Sequence, residues 1–199
     1  MPRPPNPELP ERLLDAALAL LEERGDATFS MRELAARVGY AVTAVYRCYN
    51  SRADLLRALQ VRLYKELANH VLPRSTKDSD SLNQRVHEIG HRYLSWALEH
   101  RARYLFMFHT AETYALLSEE ERAMARTGFH AFESMIATEA AKRGISPTGT
   151  AIYIFATLHG LASLALTQRL KDTEGEALMA FYAEHQAPYL EALLGPAEP

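Results

Sequence analysis

The chain has 199 residues, 48% of them hydrophobic, enough to bury a sizeable core and to argue against disorder. Its formal net charge is −3, so it has no global basic field of the kind that marks many nucleic-acid binders, and any such activity must be local. A single cysteine, Cys48, excludes an intramolecular disulfide or a zinc site built from several thiolates, and it suits a reducing cytoplasm.

The opening, Met1-Pro2-Arg3-Pro4-Pro5-Asn6-Pro7, reads as a proline-rich arm and not as a secretory signal. Leu9, Leu13, Leu14, Ala17, Leu18 and Leu21 recur at helical spacing, and Gly25 supplies a C-cap, which predicts a first helix near 8–24. Ser30-Met31-Arg32-Glu33 is a capping box that starts a second helix at Met31, and Gly39 stops it. Val42 to Tyr49 is a third helical segment, and Ser51-Arg52-Ala53-Asp54 opens a long fourth helix that ends before Pro73. Residues 73–81 form a polar loop. Beyond it the pattern predicts helices near 82–100, 102–111, 118–143, 147–170 and 174–193, with Ser146-Pro147 as N-cap and first helical residue of the penultimate one. No alternating run is long enough to demand a sheet, so the chain is read as all-α.

From Ile145 to Gln168 no Asp, Glu, Lys or Arg occurs, a stretch long enough to span a bilayer. Thr150, Thr157, His159, Ser163 and Thr167 would then face lipid, so a helix buried in its own domain and against a partner is the expectation, and no membrane partner is implied.

The segment 31–49 is helix, tight glycine turn, helix, the arrangement that places a second helix in the major groove of DNA. Between Thr28 and Lys65 the net charge is +5, against −8 for the rest of the chain. A basic patch confined to one module is the footprint of phosphate binding, although a solvated face of an ordinary bundle gives the same count.

The run Ser30-Met31-Arg32-Glu33-Leu34-Ala35-Ala36-Arg37-Val38-Gly39-Tyr40, continuing Ala41-Val42-Thr43-Ala44-Val45-Tyr46-Arg47-Cys48-Tyr49-Asn50-Ser51-Arg52-Ala53-Asp54-Leu55-Leu56, resembles the TetR family of transcriptional regulators. The resemblance implies a three-helix DNA-binding module at 1–56, connected by the helix near 52–72 to a larger helical ligand-binding and dimerisation domain at 57–199. By position, Tyr46 matches the family tyrosine that bonds a phosphate, and Arg52 matches a lysine that does the same. Val42, Thr43, Ala44 and Arg47 fall where family members touch bases or nearby backbone, with Arg32 reaching in from the second helix. Arg47 is the candidate reader of guanine, because a guanidinium can bond O6 and N7 together. Leu34, Ala35, Val38, Val45, Tyr49 and Leu55 match core positions. Three residues depart from the pattern: Ala41 stands for the usual N-cap serine, Cys48 for a common histidine and Arg52 for lysine. Cys48 is read as filling space, with a redox sensor as the alternative.

His87-Glu88-Ile89-Gly90-His91 is a literal H-E-x-x-H, the pattern that gives zinc metalloproteases two imidazoles one turn apart. No extended zincin continuation follows, and Glu112 is the serviceable third ligand downstream. A pair of surface or pocket-rim histidines is the expectation, with zinc-dependent hydrolysis or metal binding at His87 and His91 as rivals, and a helical interaction protein that has lost DNA binding as a third reading. No enzyme activity, metal or cofactor is expected.

In the C-terminal part, Tyr93 to His100, Tyr104 to Phe108 and Thr157 to Leu164 resemble a TetR subgroup with a Trp-His-Gly signature, here Leu158-His159-Gly160. Trp96, Phe106, Phe108, Tyr114, Phe129, Phe132, Tyr153 and His159 are candidates to line a pocket for a largely apolar ligand, although the same side chains could fill a plain core. Ala156, Gly160 and Ser163 allow close helix approach and, with Phe181, Tyr182 and Tyr189 on the last helix, are candidates for a homodimer interface. An isologous dimer would present two recognition helices about 34 Å apart to an inverted-repeat operator. The expected function is that of a cytoplasmic repressor, released from double-stranded operator DNA by a small-molecule effector.

Overall fold

A computed structural model of the chain describes residues 6–72, 81–109, 114–115, 117–170 and 175–194; residues 1–5, most of the expected loop 73–81, and Glu112 lie outside them. Among the described residues there are ten helices and no strand: α1 (Leu9–Arg24), α2 (Met31–Val38), α3 (Val42–Cys48), α4 (Arg52–Val71), α5 (Leu82–Glu99), α6 (Arg101–His109), α7 (Glu119–Ala125), α8 (Thr127–Lys142), α9 (Pro147–Leu166) and α10 (Glu176–Leu194). They divide into two compact units, residues 1–64 with 100–122 and residues 65–99 with 123–199, so α4 starts in the first and ends in the second.

In the first unit α1 packs on α2, α3 and α6. Leu13, Leu21, Leu34, Val45, Leu55 and Leu59 have no exposed surface and form its centre, with Phe29 of the α1–α2 linker beside them at 1%. The expected caps are present. Gly25 takes a left-handed φ of 78° and returns its N–H to Leu21 O at 2.9 Å. The Ser30 hydroxyl accepts from Glu33 N at 3.2 Å, and the Ser51 hydroxyl accepts from Asp54 N at 3.1 Å. The hydroxyl of Tyr49 donates to Pro10 O at 3.2 Å, fastening the end of α3 to the start of α1.

In the second unit α9 packs on α8, α5 and α10, and α10 packs on α5. Trp96, Leu94, Ile136 and Leu178 are among its buried side chains. α9 is long and apolar enough to cross a membrane by length and composition, but Thr150, Ala151, Ile154, Leu158, Ala162, Ala165 and Leu166 are buried within the unit.

Two boundaries differ from the sequence reading. The single helix expected at 118–143 is broken at Arg126, where the Thr127 hydroxyl donates back to Ala123 O at 3.4 Å next to Gly128, a pairing that bends helices. α9 stops at Leu166 and not near 170, because Gln168 adopts a φ of 56° and Arg169 N–H reaches Leu164 O at 2.9 Å, closing a Schellman turn without a glycine.

Candidate functional site

The helix-turn-helix is closed at Gly39, whose φ of 74° a residue with a Cβ adopts poorly. Gly39 N–H bonds Ala36 O at 3.2 Å and Tyr40 N–H bonds Ala35 O at 3.0 Å, so α2 ends abruptly and α3 begins three residues later. Ala41 occupies the N-cap of α3 with no side-chain bond, as its methyl group requires. Val45 is fully buried and orients α3. The opposite face is thereby presented to solvent: Thr43 and Arg47 are exposed, Tyr46 is 47% exposed, and Val42 and Ala44 are half-buried. A short helix held by one valine and the Tyr49 bond, offering a phenol, a hydroxyl and a guanidinium outward, is chemically equipped to meet phosphates and base edges.

The basic character of the module narrows once contacts are considered. Arg37 pairs with Glu23, Arg57 with Glu121 and Asp54, and Arg62 with Asp15 at 2.6 Å. Arg52 is exposed, but its Nε donates to Phe29 O at 3.3 Å and its Nη2 donates to Ala27 O. Arg32 and Arg47 are exposed and enter no ion pair among the described residues. The free positive charge of α2 and α3 is therefore concentrated on these two side chains. Cys48 is half-buried, and burial pushes its thiol up, away from the thiolate that redox chemistry needs.

Residues 13–59 match the family described as bacterial regulatory proteins, tetR family, and residues 86–189 match the tetracyclin repressor-like C-terminal domain. The chain belongs to the TetR family of bacterial regulatory proteins. It is 29% identical over 102 residues to the HTH-type transcriptional regulator Mb1846 of Mycobacterium bovis, a match covering 51% of this chain and 44% of that protein, so the chain aligns with less than half of the relative's length. In fold it is similar to a Rhodococcus sp. RHA1 protein of unknown function, with a TM-score of 0.77 at 21% identity over 98% of this chain and 100% of the other. It is also similar to a tetR-family regulatory protein of Rhodococcus RHA1, with a TM-score of 0.68 at 18% identity over 97% and 100% of the two chains. The matched residues 13–59 include all of α2 and α3, so the exposed face of α3 lies within the segment that the tetR family model describes.

In this TetR-family chain the H-E-x-x-H run serves as a packing seam. His87 Nδ1 bonds Gln186 Oε1, its ring stacks on Tyr182 at 5.4 Å between centroids, and its backbone carbonyl accepts from the Tyr182 hydroxyl at 3.2 Å. Glu88 is engaged by Arg92 at 2.6 Å, which holds its carboxyl below the usual range, and His91 is exposed. At Gly90 the backbone of α5 lies directly against α10: a Cβ there would lie 1.9 Å from the Tyr182 hydroxyl. No cluster of three metal-ligating side chains occurs among the described residues.

The expected pocket residues fall into separate groups. In the second unit Phe129 meets Phe155 edge-on, Phe155 stacks on His159, and the Tyr93 hydroxyl bonds His159 Nδ1 at 3.1 Å. Trp96, Phe132 and, in the first unit, Phe106 are packed at 1%, 6% and 4% exposure and serve as core. Phe108 and Tyr114 meet Tyr64 edge-on at 6.0 and 6.3 Å in the first unit. Tyr153 departs from the pocket expectation: it is 57% exposed and stacks on Tyr189. Tyr182 departs from the interface expectation, since it is 3% exposed and turned toward α5. Ala156 and Phe181 are exposed, Gly160, Ser163 and Tyr189 are partly so, and a 290 Å³ apolar groove runs between α9 and α10, lined by Leu158, Leu161, Phe181 and Tyr189 among others. Gln60 and Tyr64 were not singled out from sequence. Gln60 carries a readable signal, a polar residue in step with Leu56, Leu63 and Leu67 on the buried stripe of α4.

Proposed function

We propose that the protein is a cytoplasmic homodimeric repressor that binds an inverted-repeat operator and leaves it when a small, largely apolar effector occupies the C-terminal region. The observation that carries the DNA reading is the outward face of α3, where Thr43, Tyr46 and Arg47 are exposed around the buried Val45. Tyr46 and Thr43 contact phosphates, Arg47 reads a base edge, Val42 and Ala44 pack against the groove, and Arg32 adds a backbone contact from α2.

The partner across the dimer is a second copy of the chain, seated on α9 and α10. Ile152 and Tyr153 at 53% and 57% exposure, with Phe181 at 40%, are more apolar surface than one face of a monomer needs, and the groove between the two helices gives it relief. Gly160 supports this reading, because a Cβ there would meet nothing within 4 Å of its own chain. His159-Gly160 keeps two residues of the Trp-His-Gly signature and so favours that subgroup, with Leu158 standing where tryptophan would be usual.

Light scattering on the protein with a duplex carrying one inverted repeat tests the assembly. Two chains per duplex is the expected mass; one chain per duplex contradicts the dimeric reading.

A further inference from the structure

Helix α3 begins without a side-chain cap, because Ala41 has no group that could accept from its first amides. The residue just before Ala41 is instead held on two sides. Tyr40 is half-buried; its hydroxyl accepts from Asn6 Nδ2 at 3.2 Å, and the Arg12 guanidinium lies over its ring, 5.6 Å from the centroid. The Asn6 amide is fixed in this orientation, since its Oδ1 accepts from Glu8 N at 3.1 Å and a turned amide would set donor against donor. Asn6 O in turn accepts from Leu9 N at 3.1 Å, so the residue that holds Tyr40 is built into the start of α1.

The other end of α3 is tied to the same place. Tyr49, immediately after α3, donates its hydroxyl to Pro10 O at 3.2 Å. Tyr40 and Tyr49 therefore bracket α3, and both reach the start of α1. Between them Val45 is the one buried side chain of a seven-residue helix, so packing alone does little to fix the rotation of α3 about its own axis. That rotation decides where the exposed Thr43 and Arg47 point. The Tyr49 bond secures the end of the helix, and the Tyr40 bond is what secures its beginning.

We propose that Tyr40, acting through Asn6, is a positioning residue for base recognition: it clamps the start of α3 to α1 and so aims Thr43 and Arg47, in place of the cap that Ala41 lacks. This rests on the reading of α3 as the helix that meets DNA.

The test uses the full-length protein with Tyr40→Phe, Asn6→Ala and the double variant. Tyr40→Phe keeps the ring beneath Arg12 and removes only the hydroxyl. Hydrogen exchange in the free protein reads the clamp itself: the amides of α3 are expected to exchange about threefold or more faster in either single variant, with those in the middle of α1 unchanged. Fluorescence anisotropy on DNA from upstream of the gene and on scrambled DNA reads the consequence. Preference for the native fragment should fall about threefold or more while affinity for scrambled DNA holds, because no cation is lost. The double variant should be no worse than either single one, since both remove the same bond. Wild-type exchange of α3 in Tyr40→Phe overturns the proposal. So does an equal loss on both DNAs, which would make the Tyr40 hydroxyl a phosphate contact, and so does a double variant whose loss is the sum of the two. Wild-type protein that does not discriminate between the DNAs, with faster α3 exchange in the variants, would sink the regulator reading and leave the clamp; discrimination kept in all three variants would sink the positioning role alone.

Discussion

The Arg52 guanidinium donates through Nε to the backbone carbonyl of Phe29 at 3.3 Å and through Nη2 to that of Ala27, so the first residue of α4 holds the α1–α2 linker. Family position assigns this residue a phosphate contact, yet its planar fork is already used on two carbonyls, which a lysine ammonium on a flexible stem cannot reproduce in the same way. Arg52→Lys, which keeps the charge, is therefore expected to lower stability by about 1 kcal/mol and weaken operator binding nearly as much as Arg52→Ala. Thermal melts and DNA titrations check this. A lysine variant that matches wild type in both would assign Arg52 to phosphate alone.

The Tyr182 phenol packs on Gly90, where a Cβ would fall 1.9 Å from its hydroxyl. Gly90→Ala forces the buried Tyr182 phenol off its bond to His87 O, and overpacking of this kind costs about 1–3 kcal/mol. Urea denaturation should show the loss. Zinc should leave the wild-type melting temperature unchanged, because His87 is engaged by Gln186 and Tyr182 and Glu88 by Arg92; a clear zinc-induced rise would restore the metal reading.

Gly160→Phe is expected to leave the protomer folded and to break the dimer, since a Cβ at this position meets nothing of its own chain within 4 Å. Sedimentation at micromolar concentration should report monomer with an unchanged helical signal. A dimer that persists would move the interface away from α9.

Glu121 is held below the usual carboxylate range by the Ser118 backbone N–H, by the Ser118 hydroxyl and by Arg57. With its folded value depressed, the stability it contributes is fully present above the ordinary carboxylate range and is lost as pH falls through the lower folded value. Glu121→Gln should remove that part of the acid dependence and, at neutral pH, cost about 1 kcal/mol from the lost cap and ion pair. Equal pH profiles for the two proteins would show that the Ser118 and Arg57 bonds do not persist in solution.

The elements legible in the sequence were those with local chemistry. Ser30, Gly39 and Ser51 announce their helix ends because a hydroxyl or a missing Cβ does the capping on the spot. The end of α9 was not legible, since Gln168 makes a left-handed turn that residue type does not advertise. The charge count marked one basic module but not its free cations: which of its basic residues remain unpaired depends in part on Glu23, Asp15 and Glu121, all outside the basic stretch. Tyr153 and Tyr182 were misplaced for a related reason. Both are tyrosines on apolar helices, and only tertiary packing turns one outward onto Tyr189 and the other inward beneath Gly90.

The central claim is tested most directly by fluorescence anisotropy of the purified protein on DNA from upstream of its own gene, with scrambled DNA and Arg47→Ala in parallel. Tight binding to the native fragment alone, weakened about fivefold or more by the substitution, is the expected result. Equal affinity for native and scrambled DNA, or an Arg47→Ala variant that discriminates as well as wild type, would contradict sequence reading by α3.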